Sequence, residues 1–146
     1  MSNQPLRIAI ANDHELLRKT VANLLESNGF IVDQTTNGQQ LIEHLESTTQ
    51  TAPDVCIVDM NMPLLSGIET VKYIAKKWKI PVLIFSISVE EKPILQMLAQ
   101  GACGYVFKGN PDELLEAISQ VKEKGYYFSD LLCKMILKHL HSSVAV

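Results

Sequence analysis

Five short runs of apolar residues, each too brief to be a helix, recur along the chain with stretches of helical periodicity between them. This alternation constrains the fold more than any other feature. The runs are Leu6 to Ala11, Phe30 to Val32, Val55 to Val58, Pro81 to Phe85 and Cys103 to Phe107. Strands apolar on both sides are covered on both faces, as in a parallel sheet flanked by helices, and strict alternation is the pattern of successive βα units. The spacing predicts an α/β domain around a five-stranded parallel sheet. At 146 residues the chain suits one domain, since domains of about 100–150 residues bury an adequate core.

The intervening segments carry their own start and stop signals. Leu16, Leu17, Val21, Leu24 and Leu25 make a first helical stripe that ends at Gly29, the residue type favoured just past a helix C-terminus. Leu41, Ile42 and Leu45 mark a second helix before a Ser/Thr-rich break. Ser66-Gly67-Ile68-Glu69 has capping-box spacing and opens a third, continued by Val71, Ile74, Ala75 and Trp78. A fourth, with Ile94, Leu95 and Leu98, is expected to start near Pro93, because proline fits a first turn. Asn110-Pro111-Asp112-Glu113 supplies cap, N1 proline and capping glutamate for a fifth, whose apolar face is Leu114, Leu115, Ile118 and Val121. Residues 126–141 add a sixth segment with no strand before it, capped by Ser129, with Leu132, Met135, Ile136 and Leu140 at helical spacing. The stripe over 131–140 either covers the domain's own flank, the favoured reading, or serves a dimer.

Composition narrows the class. Apolar residues make up 47% and charged ones 20%, near the averages of soluble domains, and no apolar run approaches the ~20 residues of a membrane span. The opening Met-Ser-Asn-Gln-Pro lacks the basic and apolar regions of a secretory signal, so a cytoplasmic location is expected. Cys56, Cys103 and Cys133 are too far apart for a metal knuckle; two fall in strand-like runs and read as small buried hydrophobes. A formal charge of −3 gives no basic footprint for nucleic acid.

In an open parallel sheet, ligands bind outside the carboxyl ends of the strands, where strand order reverses. The residues leaving the strands are Asn12-Asp13, Asp59, Ser86 and Lys108. Two carboxylates with an amide or carbonyl oxygen suit a hard divalent cation such as Mg²⁺, which takes one or two carboxylates, waters and phosphate oxygens. A carboxylate is also a nucleophile toward phosphorus, and a lysine and a hydroxyl pair with phosphoryl oxygens. Taken singly, Asp13 reads equally as a helix cap, Lys108 as a solvated loop residue and Ser86 as a turn residue. Their convergence at strand exits points to phosphoryl transfer onto Asp59.

Asp59-Met60-Asn61-Met62-Pro63 with Gly67 resembles the phosphoacceptor motif of response-regulator receiver domains of two-component systems. Ile10-Ala11-Asn12-Asp13-His14 resembles their acidic-pair motif, Phe85-Ser86 their switch hydroxyl, and Gly101 to Lys108 their closing motif. The resemblance covers about residues 6–124, and the motif wording is nearest the NarL/FixJ (LuxR-type) subgroup. It implies a flavodoxin-like (βα)5 doubly wound sheet of order 2-1-3-4-5, with an extra C-terminal helical segment. A receiver domain over residues 4–125 is expected, then a helix or linker over 126–146 leading to a helix-turn-helix domain absent from this chain. By the same resemblance Asp59 is the phosphoacceptor, and Asp13, Asp59 and the backbone carbonyl of Asn61 hold Mg²⁺, with Asn12 contributing at most through water. Ser86 and Lys108 bind phosphoryl oxygens, and Ser86 and Tyr105 form the switch, Tyr105 swinging inward on activation. The implied partner is a sensor histidine kinase, with homodimerisation possible, no membrane contact, and DNA reached only through the absent domain. His14 is expected to be a passive helix-start residue.

Two positions depart from the family pattern. Asn12 stands where an acid is usual, which removes one negative charge from the metal site and relieves like-charge repulsion on Asp59. Gly109 follows Lys108 where many members have proline; a cis bond there would cost about 2.5–4 kcal/mol, so trans is expected. Two other functional readings compete with a transcription-linked phosphoacceptor switch whose own chemistry is at most slow self-phosphorylation and autodephosphorylation. One is a degenerate or stand-alone receiver acting as a protein-interaction module. The other is an aspartate-nucleophile phosphatase, disfavoured because Asn61 stands where the general acid would be.

Overall fold

Parallel strands covered on both faces organise the molecule, as the apolar runs predict. The computed structural model describes residues 4–47, 52–62, 65–87, 90–108 and 110–143. Within them, β1 (Arg7–Ala11), β2 (Ile31–Thr35), β3 (Val55–Val58), β4 (Val82–Ser86) and β5 (Gly104–Phe107) form one sheet of order β2-β1-β3-β4-β5, every pair parallel. The helices are α1 (Glu15–Ser27), α2 (Gly38–Ser47), α3 (Gly67–Lys77), α4 (Glu91–Ala99), α5 (Glu113–Lys124) and α6 (Asp130–Ser143). This is the flavodoxin-like arrangement with an added C-terminal helix. Pro63 and the Lys108–Gly109 peptide lie outside the described residues.

The two-residue strand period divides the core into two layers. Ile8, Ile10, Val55, Ile57, Leu83, Phe85 and Val106 pack with Val21 and Leu25 of α1 and with Leu114, Ile118 and Val121 of α5. The alternate residues Ala9, Ala11, Cys56, Val58, Val82, Ile84 and Tyr105 pack with residues of α2, α3 and α4, among them Leu41, Val71, Ile74, Ile94 and Met97. Cys56 is fully buried, and burial pushes its thiol up to about 12. Cys103 is half-buried just before β5 and Cys133 is exposed, so the buried-hydrophobe reading fits Cys56 best.

Several element boundaries differ from the sequence expectation. Leu16 is 74% exposed: at 3.6 residues per turn it lies about 140° around α1 from Val21, and Arg18 takes a buried place on that helix instead. β2 begins and ends later than its apolar run and includes Asp33 and Gln34, because an edge strand with one neighbour is less covered. α4 starts at Glu91, placing Pro93 within the first turn, where its missing N–H has no helical acceptor to lose. α5 starts at Glu113; Pro111 and Asp112 form a preceding turn, with Leu114 and Leu115 donating back three residues to their carbonyls.

The sixth segment is a helix that covers the domain's own flank. Tyr127 N–H donates to the Cys103 carbonyl at 2.8 Å, and Tyr127 forms a parallel bridge with Gly104. A Cβ at position 104 would collide with the Tyr127 carbonyl, so glycine lets the two backbones meet. Ser129 Oγ then accepts the Leu132 N–H at 3.2 Å, as predicted for its cap. Leu132 and Met135 are buried in the same cluster as Ile94, Met97 and Ala102, with Ile136 against it. Lys138 lies 3.6 Å from Glu91. Leu140 departs from the predicted stripe and is exposed, as are Leu131 and Leu137. Leu132→Ala should lower the unfolding free energy by about 2–5 kcal/mol. Leu140→Ala should change it by less than about 0.5 kcal/mol. Urea denaturation of the two variants measures both.

Candidate functional site

The strands release their polar residues along the carboxyl edge of the sheet, and local backbone bonds fix where each one stands. Asp59 continues β3 by one step: its N–H donates to the Ala11 carbonyl at 3.0 Å, beside the end of β1. Lys108 continues β5 in the same way, donating its N–H to the Ser86 carbonyl at 2.9 Å. From these two positions Lys108 Nζ reaches Asp59 Oδ2 at 2.9 Å, with side chains only 9% and 5% exposed. An ion pair so shielded interacts far more strongly than a surface pair, and each partner offsets the desolvation of the other.

The turn after Asp59 is held from beneath by α3. Asn61 is exposed, and its N–H donates to Asp59 Oδ1 at 3.3 Å. A Cβ on Gly67 would stand 2.7 Å from the Asp59 carbonyl and 2.8 Å from that of Met60, so only glycine lets the helix start this close to the acceptor. Ser66 caps α3 as its spacing predicts, accepting the Glu69 N–H at 3.2 Å and donating to the Glu69 carboxylate at 3.0 Å. The reciprocal arm thus runs between side chains rather than back to the cap's N–H.

At the end of β1, Asn12 is 2% exposed and Asp13 is exposed. Asn12 Oδ1 accepts the His14 N–H at 2.8 Å, a local turn bond that occupies the amide oxygen. His14 is the cap of α1, its Nδ1 accepting the Leu17 N–H at 3.2 Å. The helix-start role expected of His14 is therefore what the structure shows, and the alternative reading of Asp13 as that cap is not.

Ser86 is fully buried at the end of β4, and Tyr105 is 3% exposed. The Tyr105 hydroxyl lies inward, donating to the Ser86 carbonyl over 3.4 Å. Burial, with the Glu113 charge second, pushes the Tyr105 phenol above its ordinary range, so it remains a donor. The structure therefore joins Asp59 to Lys108 and Asn61, and Ser86 to Lys108 and Tyr105. Asn12 and Asp13 stand on the neighbouring strand end.

Sequence reasoning assigned nothing to Arg18. Its side chain is buried, with Nη1 donating to the Asn12 carbonyl at 3.0 Å and Nε donating to Gln34 Oε1 at 3.2 Å. The available signal was its spacing, three residues before Val21 and seven before Leu25 on the same helix face.

A family model described as the response regulator receiver domain matches residues 8–119. The nitrate/nitrite response regulator protein NarL of Escherichia coli K12 is 33% identical over 150 residues, spanning 99% of this chain and 68% of that protein. The transcriptional regulatory protein DegU of Brevibacillus brevis is 29% identical over 142 residues, spanning 94% of this chain and 59% of that protein. A crystal structure of a LuxR-family two-component response regulator from Aurantimonas sp. SI85-9A1 superposes with a TM-score of 0.81 at 26% identity, covering 93% of this chain and 98% of that one. The sheet order, the strand-end residues and these likenesses agree: the chain belongs to the response regulator receiver domain family, alongside NarL and related LuxR-type regulators.

Proposed function

We propose that this chain accepts a phosphoryl group from a sensor histidine kinase on Asp59 and switches conformation to control an output, with transcription favoured by the likeness to NarL and DegU. The observation that carries this reading is the desolvated Asp59–Lys108 pair at the carboxyl edge of the sheet. In the proposed transfer an Asp59 carboxylate oxygen attacks the phosphorus of a phosphohistidine. The P–N bond breaks, and the leaving imidazole nitrogen takes up a proton from solvent. Lys108, paired with the carboxylate beforehand, then pairs with a phosphoryl oxygen, and the Ser86 hydroxyl donates to another.

The donor set fits Mg²⁺. Among the described residues no three His, Cys, Asp or Glu side chains form a metal cluster. Two carboxylates and a backbone carbonyl suit a cation that keeps several waters. Asp13, Asp59 and the Asn61 carbonyl would hold it, and Asn12, with its amide oxygen on His14, would contribute at most through water. When bound, Mg²⁺ supplies charge neutralisation for the transferring oxygens.

The proposed switch is an equilibrium between an outward and an inward Tyr105; the phosphoryl contacts of Ser86 and Lys108 bias it toward the inward form, the one this structure holds, and reshape the face made by α4, β5 and α5. We assign residues 4–125 to the receiver and 126–146 to a C-terminal helix or linker that would lead to a DNA-binding helix-turn-helix outside this chain. Homodimerisation and a cytoplasmic location belong to the same reading. No helix among the described residues is long and apolar enough to cross a membrane. The chain's own chemistry would be limited to slow self-phosphorylation and autodephosphorylation.

Incubation with acetyl phosphate and Mg²⁺, followed by intact-mass measurement, should add one phosphoryl group to the wild-type chain and none to Asp59→Asn. A wild-type chain that takes up none is instead an interaction module. Asn12→Asp should move the Mg²⁺ dependence of phosphorylation to lower concentration by on the order of tenfold, the effect of about 1.4 kcal/mol; superimposable titration curves would refute the missing-charge argument. Lys108→Met leaves the Asp59 carboxylate buried without its counter-ion and should cost about 3–5 kcal/mol of stability. Adding Asp59→Asn to it should restore part of that loss in the same denaturation assay.

A further inference from the structure

Arg18 is an anomaly that the proposed phosphoryl chemistry does not use. It is 9% exposed. Its hydrogen bonds go to two neutral acceptors, the Asn12 carbonyl at 3.0 Å and Gln34 Oε1 at 3.2 Å. Among the described residues no carboxylate lies within ion-pair distance of it. A buried cation with no carboxylate in contact is costly, and the exposed Glu15 feels its charge only at longer range; an apolar side chain of similar volume would stabilise this helix face better. What the guanidinium provides is a rigid fork that ties the loop after β1 to the end of β2.

That loop carries the proposed cation ligand Asp13, and its flanking residues are fixed from every side. Asn12 N–H donates to the Thr35 carbonyl at 3.2 Å, Asn12 Oδ1 accepts the His14 N–H, and the His14 carbonyl accepts the Arg18 N–H at 2.9 Å. The Arg18 side chain closes the remaining position, the carbonyl of Asn12, which belongs to the peptide bond leading into Asp13. We infer that Arg18 is a positioning residue: through the Asn12 carbonyl it sets the direction in which Asp13 presents its carboxylate to the cation. The inference rests on the proposed role of Asp13 in holding Mg²⁺.

Geometry and charge make opposite demands here, which fixes the sign of the test. Were Arg18 merely a nearby positive charge, its removal would tighten cation binding; as a positioning residue, its removal weakens it. Calorimetric titration of the full chain with Mg²⁺ should show Arg18→Met binding about tenfold more weakly, the scale of losing a partner that orients a metal ligand, while its thermal midpoint stays unchanged or rises. Arg18→Lys, which keeps one donor, should recover part of the affinity. Gln34→Ala, a change at an exposed position that frees Nε, should lose a smaller fraction. Equal or tighter Mg²⁺ binding by Arg18→Met overturns the inference and leaves the metal reading of the site intact. If Arg18→Met fails to fold, wild-type affinity in both Arg18→Lys and Gln34→Ala overturns it equally. A wild-type chain that binds no Mg²⁺ at millimolar concentration removes the metal reading and this inference together.

Discussion

The Asp59–Lys108 ion pair is the constraint on which the functional edge depends. Its partners continue β3 and β5, strands that are not neighbours, so the pair reaches across the end of β4, where Ser86 is buried. Its strength comes from the low-dielectric surroundings that two layers of helices create, and those same surroundings make either charge expensive alone. The arrangement is therefore stable as a pair and sensitive to any change in charge at Asp59. A group that adds negative charge there draws on Lys108 and, through the end of β4, on the residues that touch Ser86. Tyr105 is one of them.

Much of this was legible in the sequence, because burial on both faces leaves a plain mark. The runs in β3 and β4, and that in β1 after Arg7, admit no polar residue until the strand ends, so the first polar side chain after each run identifies the edge where Asp59 and Ser86 stand. β2 was less legible. It has one neighbour in the sheet and tolerates Asp33 and Gln34, which conceal its length. The start of α5 was misplaced for a related reason: proline and an Asn cap mark a turn as well as a helix, and the turn at Pro111 and Asp112 satisfies the same backbone groups by bonds three residues back.

The site residues were read from where strands end, and Arg18 shows the limit of that approach. A stripe drawn through leucines admitted the exposed Leu16 and passed over the buried arginine, because hydropathy scores a side chain by type and takes no account of hydrogen bonds that bury it. Asn12 is a similar case. Its residue type suggested a weakened metal contact, whereas its position in a turn commits the amide oxygen to His14. The partners of a polar side chain across different elements are set by tertiary geometry, which local periodicity does not encode.

The bridge between Gly104 and Tyr127 has a consequence for how separate molecules meet. A parallel sheet ends in two strands with unpaired backbone groups, and such edges template the addition of foreign strands. Here Tyr127 occupies part of the β5 edge. The opposite edge is β2, five residues long, whose Asp33 carboxylate is 3.1 Å from Arg7 and 3.5 Å from the His44 imidazole. One margin is thus partly closed by the protein's own chain, and the other is short and interrupted by a bound charge. Both margins therefore offer little free backbone for a strand of another copy to pair with.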